Sequence, residues 1–219
     1  MDLYDVMRST PAVREFTDEP LPDDTLRRIL DNARFAPSGG NRQGTHVIVV
    51  RDRATRERIA ELNKPAVRRY LAQIRAGQSP WNPLEAPAPT PAEIAATEVP
   101  EQFTKPVLTA GAVLVVCVDL GLVAAMDQHL DRIGVVSGAS VYPLVWNILL
   151  AARNEGFGGT ITTMAVAQEP AVRELLGIPE RYAVAAVLPL GKPVKQLTRL
   201  TRRPVSEFVT LERFDGAAL

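Results

Sequence analysis

The run from Ala139 to Ala152 limits this chain more than any other stretch, because it is apolar on nearly every side, with Asn147 the main polar exception. A helix without a polar face belongs in the centre of a fold or at an interface between chains. Pro143, which has no backbone N–H to give, predicts a kink inside it. Gly156, just after Arg153 and Glu155, predicts where it stops. Val113 to Leu120 is the second constraint: an almost unbroken apolar strand that must be covered on both faces. A chain of 219 residues, 46% of them hydrophobic, is long enough to bury both in one domain spanning residues 1–219.

The other elements follow from periodicity. Residues 2–8 predict a short helix. A second helix starts at Pro22-Asp23-Asp24 and carries Leu26, Ile29, Leu30 and Ala33 on one side. Thr45 to Val50 is rich in β-branched residues and predicts a strand. Arg53–Asn63 and Ala66–Ala76 predict two helices, the second with Tyr70, Leu71 and Ile74 inward. Prolines 80, 83, 87, 89, 91, 100 and 106 mark residues 79–106 as an extended insertion or lid, with a short helix around Ala92–Thr97. Gly159–Met164 and Tyr182–Leu190 predict strands, and Ala171–Leu176 a helix between them. Strands alternating with helices imply an α+β or α/β fold, with a central sheet covered by helices.

Several functions are disfavoured. The 25 basic and 25 acidic residues cancel, which argues against a nucleic-acid or anionic-membrane surface. No stretch approaches the 18 or so apolar residues of a membrane span, and MDLYDVMRST lacks the apolar region of a secretory signal; the cytoplasm is the expected location. Cys117, the single cysteine, lies in an apolar strand and reads as a buried thiol. His46 and His129 have no neighbours at metal-ligand spacing, so no metal site is expected. There is no G-x-S-x-G elbow and no P-loop, and the glycines of GFGGT follow a helix rather than a strand, unlike a dinucleotide-binding turn.

Two kinds of group remain. Arg8, Ser9, Thr10 and Arg14 lie near one end of the chain, and Arg199, Arg202 and Arg203 near the other. Guanidinium forks beside hydroxyls suit a phosphate monoester, and equally they suit a scatter of surface charge. PSGGNRQ, residues 37–43, offers amides that both donate and accept, with glycines that allow close backbone approach. Alone it reads as well as a helix-to-strand turn.

Taken together, and in this order, RSTPAVREF, PSGGNRQ, the apolar helix running into GFGGTITT, the strand ending in LGKP and the TRRP tail resemble the nitroreductase family over nearly the whole chain. The first two spellings are similar to an actinobacterial-looking branch. The resemblance implies a three-layer α+β fold with a mostly antiparallel central sheet, a long buried central helix, and a homodimer with FMN at its interface. It further implies reduction by NADH or NADPH, with hydride passing through flavin N5 to a nitroaromatic, quinone or similar small acceptor in a ping-pong scheme. No side chain is then required as an acid or base, since the cofactor carries the chemistry.

Carried over residue by residue, the resemblance assigns Arg8, Ser9, Thr10 and Arg14 to the phosphate and ribityl chain, with Arg202 and Arg203. Pro37, Ser38, Asn41 and Gln43 would meet the ring or ribityl hydroxyls. Gly158, Gly159 and Thr160 would pass their backbone along the pyrimidine and N5 side, and Arg42 or Lys105 would supply a cation near the pyrimidine. These groups need not come from one chain. The sequence departs from the family pattern at three points: five residues, including Pro11, separate Arg8 from Arg14; Gly44-Thr45 stands where Pro-Trp is usual; and shorter members lack the insertion. Same-fold alternatives are reductive dehalogenation, ring modification, and flavin binding or storage with little turnover.

Overall fold

The computed structural model describes residues 1–219. In chain order the elements are α1 (Leu3–Ser9), α2 (Asp23–Ala33), β1 (Thr45–Val50), α3 (Arg53–Arg75), α4 (Pro91–Ala95), α5 (Lys105–Thr109), β2 (Ala112–Asp119), α6 (Tyr142–Asn154), β3 (Gly158–Gly159), α7 (Glu169–Leu176) and β4 (Tyr182–Gly191). The sheet order is β1-β2-β4-β3, and every neighbouring pair is antiparallel.

β2 is buried throughout, and its alternation divides the core in two. Ala112, Leu114, Val116 and Val118 point into a cluster with Leu26 and Ile29 of α2 and Val145, Ile148 and Ala152 of α6. Val113, Val115 and Cys117 point the other way, into a cluster with Ile59 of α3, Val107 of α5 and Val172 of α7. Helices therefore cover both faces of the sheet, giving three layers, and a strand buried on both faces must read as an unbroken apolar run. Burial is also what pushes the Cys117 thiol up to about 11, with Glu169 adding to it. In β4 the pairing shifts opposite Val116 and Cys117, so Val184 and Ala186 face opposite clusters although they are two apart. One extra residue, Ala185, absorbs the change of face as a bulge.

The structure corrects four sequence expectations. α3 is one helix, with Pro65 inside it. Ile59, Asn63 and Val67 continue one buried stripe across the proline, so packing holds together what the missing N–H would otherwise divide. Its inward side is Ala66, Val67, Ala72 and Gln73, while Ile74 is exposed. Pro143 causes no kink, because it stands in the first turn of α6, where no backbone donor is needed. The strand expected at Gly159–Met164 shrinks to Gly158–Gly159 and an isolated bridge between Thr162 and Val187. In the register set by Gly158–Gly191 and Thr162–Val187, Thr160 would face Pro189, which has no N–H for the ladder.

α6 ends as predicted. Phe157 N–H reaches Ala152 O (2.8 Å) and Gly156 N–H reaches Arg153 O (3.1 Å), a double turn-back that needs the positive φ of Gly156, +78°. In the single chain α6 is not buried all round: Tyr142 and Trp146, one turn apart, are exposed.

The proline-rich insertion is ordered against α3. Fully buried Gln73 accepts from Trp81 N–H through Oε1 (3.1 Å), and the Arg69 guanidinium lies 3.9 Å from the Trp81 ring centroid. Gln78 accepts from Ala88 N–H (2.8 Å) and donates to Ala86 O (3.0 Å). α4 begins with a reciprocal cap between Thr90 and Glu93.

The segment between β2 and α6 folds around one carboxylate. Buried Asp127 accepts from Val135 N–H (2.7 Å), Arg132 Nη1 (2.8 Å) and Val136 N–H (3.2 Å). The Val135 bond, with Arg132 next, holds its carboxyl down to about 2, below the ordinary 3.8. A depressed value means that the contribution is complete above roughly pH 4 and disappears as pH falls towards 2. Asp127→Asn should therefore have a lower urea midpoint than the parent at pH 7, and the gap should close between pH 4 and pH 2. A gap independent of pH over that range would contradict this role.

Candidate functional site

The N-terminal segment after α1 runs extended beside β3. Val13 N–H donates to Gly159 O (2.8 Å), and Ala12 pairs with Gly159. On its other side lies the C-terminal segment: Thr17 N–H donates to Lys192 O (2.9 Å), Val194 N–H to Glu15 O (3.1 Å) and Leu200 N–H to Arg8 O (3.1 Å). These bonds bring the two basic ends of the chain together.

The same two segments border two cavities. The first, about 870 Å³, is lined by Arg8, Ser9 and Thr10 from one segment and Arg199, Leu200 and Arg202 from the other. Arg153, at the end of α6, joins them, and Trp146 forms an apolar wall. The second, about 940 Å³, is lined by Pro11–Glu15 and by Lys195 and Leu197. The two cavities thus border successive stretches of the same two chain segments, and the first gathers Arg8, Arg153, Arg199 and Arg202 against a single acid. Arg8, Arg199 and Arg202 pair with no carboxylate of the chain; Arg8 instead lies over the Tyr4 ring, 5.8 Å from its centroid. Asp5 is that acid. Unpaired guanidinium groups converging on one cavity suit an oxyanion.

At the second cavity the wall is Thr160 to Met164, with Tyr70, Phe103 and Lys105 opposite. Thr160 is 4% exposed, and its N–H finds no acceptor in the chain. A buried, unpaired N–H is costly unless a ligand accepts from it. Phe103 belongs to a short 3-10 turn, Glu101–Phe103, and packs edge-on against Tyr70 of α3 with centroids 6.1 Å apart. The insertion therefore supplies part of this wall.

The structure groups some of the expected residues and separates others. Arg8, Ser9, Thr10 and Arg202 share the first cavity, but Arg14 faces the second. Ser9 and Thr10 donate their hydroxyl hydrogens to Asp5 O (2.6 Å) and Val6 O (2.7 Å), which leaves no hydroxyl donor for a ligand. Gly158 and Gly159 are buried in the sheet, and a Cβ on Gly158 would lie 2.8 Å from Val13 Cγ2. These glycines are explained by strand packing before any ligand is considered. Arg203 lines neither cavity, and Lys105 lines the second.

PSGGNRQ lies on another part of the surface. Gly39 N–H donates to Ser140 Oγ (3.1 Å), and Ser38 Oγ accepts from Gln43 N–H (2.9 Å). Asn41 and Gln43 adopt left-handed φ of +53° and +51°. Such backbone costs about 1 kcal/mol or more in a non-glycine residue, and two of the four such residues in the chain fall in this loop. Pro37, Asn41, Arg42 and Gln43 are exposed, and none of them borders either cavity in this chain. Arg153 was missed from sequence because a lone arginine ending a helix ordinarily reads as a partner of its C-terminal dipole.

Residues 7–192 match the model of the nitroreductase family, and the chain belongs to that family. An Archaeoglobus fulgidus protein provisionally named an NADH dehydrogenase/NAD(P)H nitroreductase is 30% identical over 83% of this chain and 80% of its own. The iodotyrosine deiodinase of Nematostella vectensis is 23% identical over 96% of this chain and 75% of its own. Among solved structures, an iodotyrosine deiodinase bound to FMN and 3-iodo-L-tyrosine superposes with a TM-score of 0.70 at 22% identity, covering 97% of this chain and 100% of that one. The NADPH:FMN oxidoreductase of Vibrio harveyi, complexed with NAD+, gives 0.67 at 20% identity, covering 97% and 77%. At these identities the superpositions show a shared fold. No helix is long and apolar enough to cross a membrane.

Proposed function

We propose that this chain is an FMN-dependent NAD(P)H oxidoreductase that reduces a small acceptor, such as a nitroaromatic or a quinone, as a homodimer in the cytoplasm. The observation that carries the reading is the pair of cavities along these two segments: unpaired arginines in one, and in the other the buried Thr160 N–H with no acceptor. A flavin mononucleotide has the matching polarity, with a phosphate at one end and a ring whose edge accepts hydrogen bonds at the other. FMN, when bound, would supply the redox chemistry, carrying a hydride equivalent from NADH or NADPH to the acceptor.

Under this reading Arg8 and Arg202 hold the phosphate, Thr160 N–H meets the N5 edge, and Arg14 and Lys105 place positive charge near the pyrimidine. The Glu101–Phe103 turn and Tyr70 form the outer wall against which acceptors lie, so residues 79–106 set acceptor size. Pro37, Ser38, Asn41 and Gln43 serve the site of a second copy. Exposed apolar side chains support that arrangement: Met7 of α1 and Trp146 of α6 border the first cavity, and Leu3, Tyr4 and Tyr142 on the same two helices are exposed as well. Large exposed apolar faces mark interfaces.

The test is the visible spectrum of the purified protein, followed by NADPH oxidation with a nitroaromatic or quinone acceptor. The expected result is releasable FMN and saturable turnover. A colourless protein that cannot be reconstituted with FMN overturns the proposal, and bound flavin that neither NADH nor NADPH reduces leaves storage instead.

A further inference from the structure

Arg153 is the one arginine at the first cavity contributed by the buried central helix. It is 9% exposed. Its Nε donates to Ser9 O (3.1 Å) and Ser9 Oγ (3.2 Å), while its two terminal amino groups have no partner in the chain. Ser9 Oγ is itself oriented, because it donates to Asp5 O (2.6 Å). The guanidinium is therefore held at Nε and open at its far edge, where it lines the cavity beside Arg8, Arg199 and Arg202.

The stem of Arg153 is buried, and its unpartnered terminal amino groups open onto the cavity. No carboxylate of the chain pairs with Arg153, and its partners are one carbonyl and one hydroxyl. The near edge of the fork is occupied, and the outer edge presents two parallel N–H groups, the geometry that takes two oxygens of one phosphate.

We infer that Arg153 is a phosphate ligand of the first cavity, and that Ser9 is its positioning residue rather than a ligand in its own right. The inference rests on the flavin reading above, and it explains why a serine beside the arginines directs its hydroxyl hydrogen away from the cavity. Arg153 is rigid, through α6 and Ser9, whereas Arg8, Arg199 and Arg202 lie on a short helix and an irregular tail. It therefore fixes where the phosphate sits, and the other arginines complete the contact.

Comparing FMN with riboflavin, which lacks the phosphate, isolates the effect. Each would be titrated by fluorescence against flavin-free parent chain, Arg153→Met, Arg153→Lys and Ser9→Ala. Loss of one charged, two-pronged contact is worth about 10- to 100-fold in affinity. Arg153→Met should weaken FMN by that factor and change riboflavin by less than about twofold. Arg153→Lys, which keeps the charge but loses the fork and the Ser9 bonds, should lie between Arg153→Met and the parent. Ser9→Ala should lower the FMN-to-riboflavin affinity ratio several-fold, where a merely structural role would lower both affinities together. A parental ratio in Arg153→Met overturns the inference. Should that variant lose both ligands by misfolding, a parental ratio in Arg153→Lys overturns it instead. If the parent itself binds neither flavin, it is the functional reading that fails.

Discussion

Gly159→Ala is expected to destabilise the chain by about 3 kcal/mol or more, the upper end of the cost of overfilling a core. A Cβ at this position would overlap the Pro189 carbonyl oxygen and Leu190 Cδ2, and it would lie 3.3 Å from Leu149 Cδ2. The Pro189 oxygen is backbone of β4, a strand paired on both sides, so it cannot yield as a flexible side chain would. Gly159 is itself clamped, between Leu190 and the Ala12–Val13 segment. For a domain of this size each kcal/mol lowers Tm by about 2–4 °C, so a drop of roughly 6–12 °C is the expected reading. Gly77→Ala is the comparison: nothing lies within 4 Å of its Cβ, and its φ of +74° alone should cost about 1 kcal/mol. Equal melting of Gly159→Ala and the parent would show that the sheet edge moves freely, and the site would then lack a fixed wall.

The second large effect concerns binding. Arg8→Ala combined with Arg202→Ala should weaken FMN about 100-fold or more, given roughly 1.5–3 kcal/mol for each charge-assisted contact and some loss of additivity between neighbours. Riboflavin binding should hardly change, because both residues border the cavity assigned to the phosphate. Arg14→Ala provides the internal contrast. From sequence it was grouped with Arg8, but it faces the second cavity. It should therefore weaken FMN and riboflavin in parallel. Equilibrium titration followed by flavin fluorescence distinguishes these patterns. If the double variant keeps parental FMN affinity, the first cavity does not hold phosphate, and the orientation proposed for the cofactor fails.

The elements legible in the sequence were those whose pattern is local. α2 shows its buried side at helical spacing, β1 shows its β-branched residues, and β2 and β4 show aliphatic runs that no surface segment could carry. α3 was misread at Pro65 because one missing hydrogen bond is a local cost, whereas the stripe that outweighs it packs against residues far along the chain. The ladder gap at Thr160 was equally hidden. It depends on Pro189 arriving opposite Thr160, which is a matter of register rather than of either residue alone. Within the site, the basic residues and the polar loop could be named from sequence, but their grouping could not.

By itself the sequence determined that a helix and a strand must both be covered, that a central sheet is flanked by helices, and that both ends of the chain carry arginines; these follow from side-chain chemistry and short-range periodicity, and the choice of α+β came from the resemblance of the ordered motifs. Only the tertiary structure decided that Leu200 bonds to Arg8, so that those ends meet, that Arg14 is turned away from them, and that Arg153 emerges from the buried helix into the same cavity. The reason is physical: a charge declares its type in one letter, but what it faces depends on backbone pairings between segments that the chain brings together only when folded.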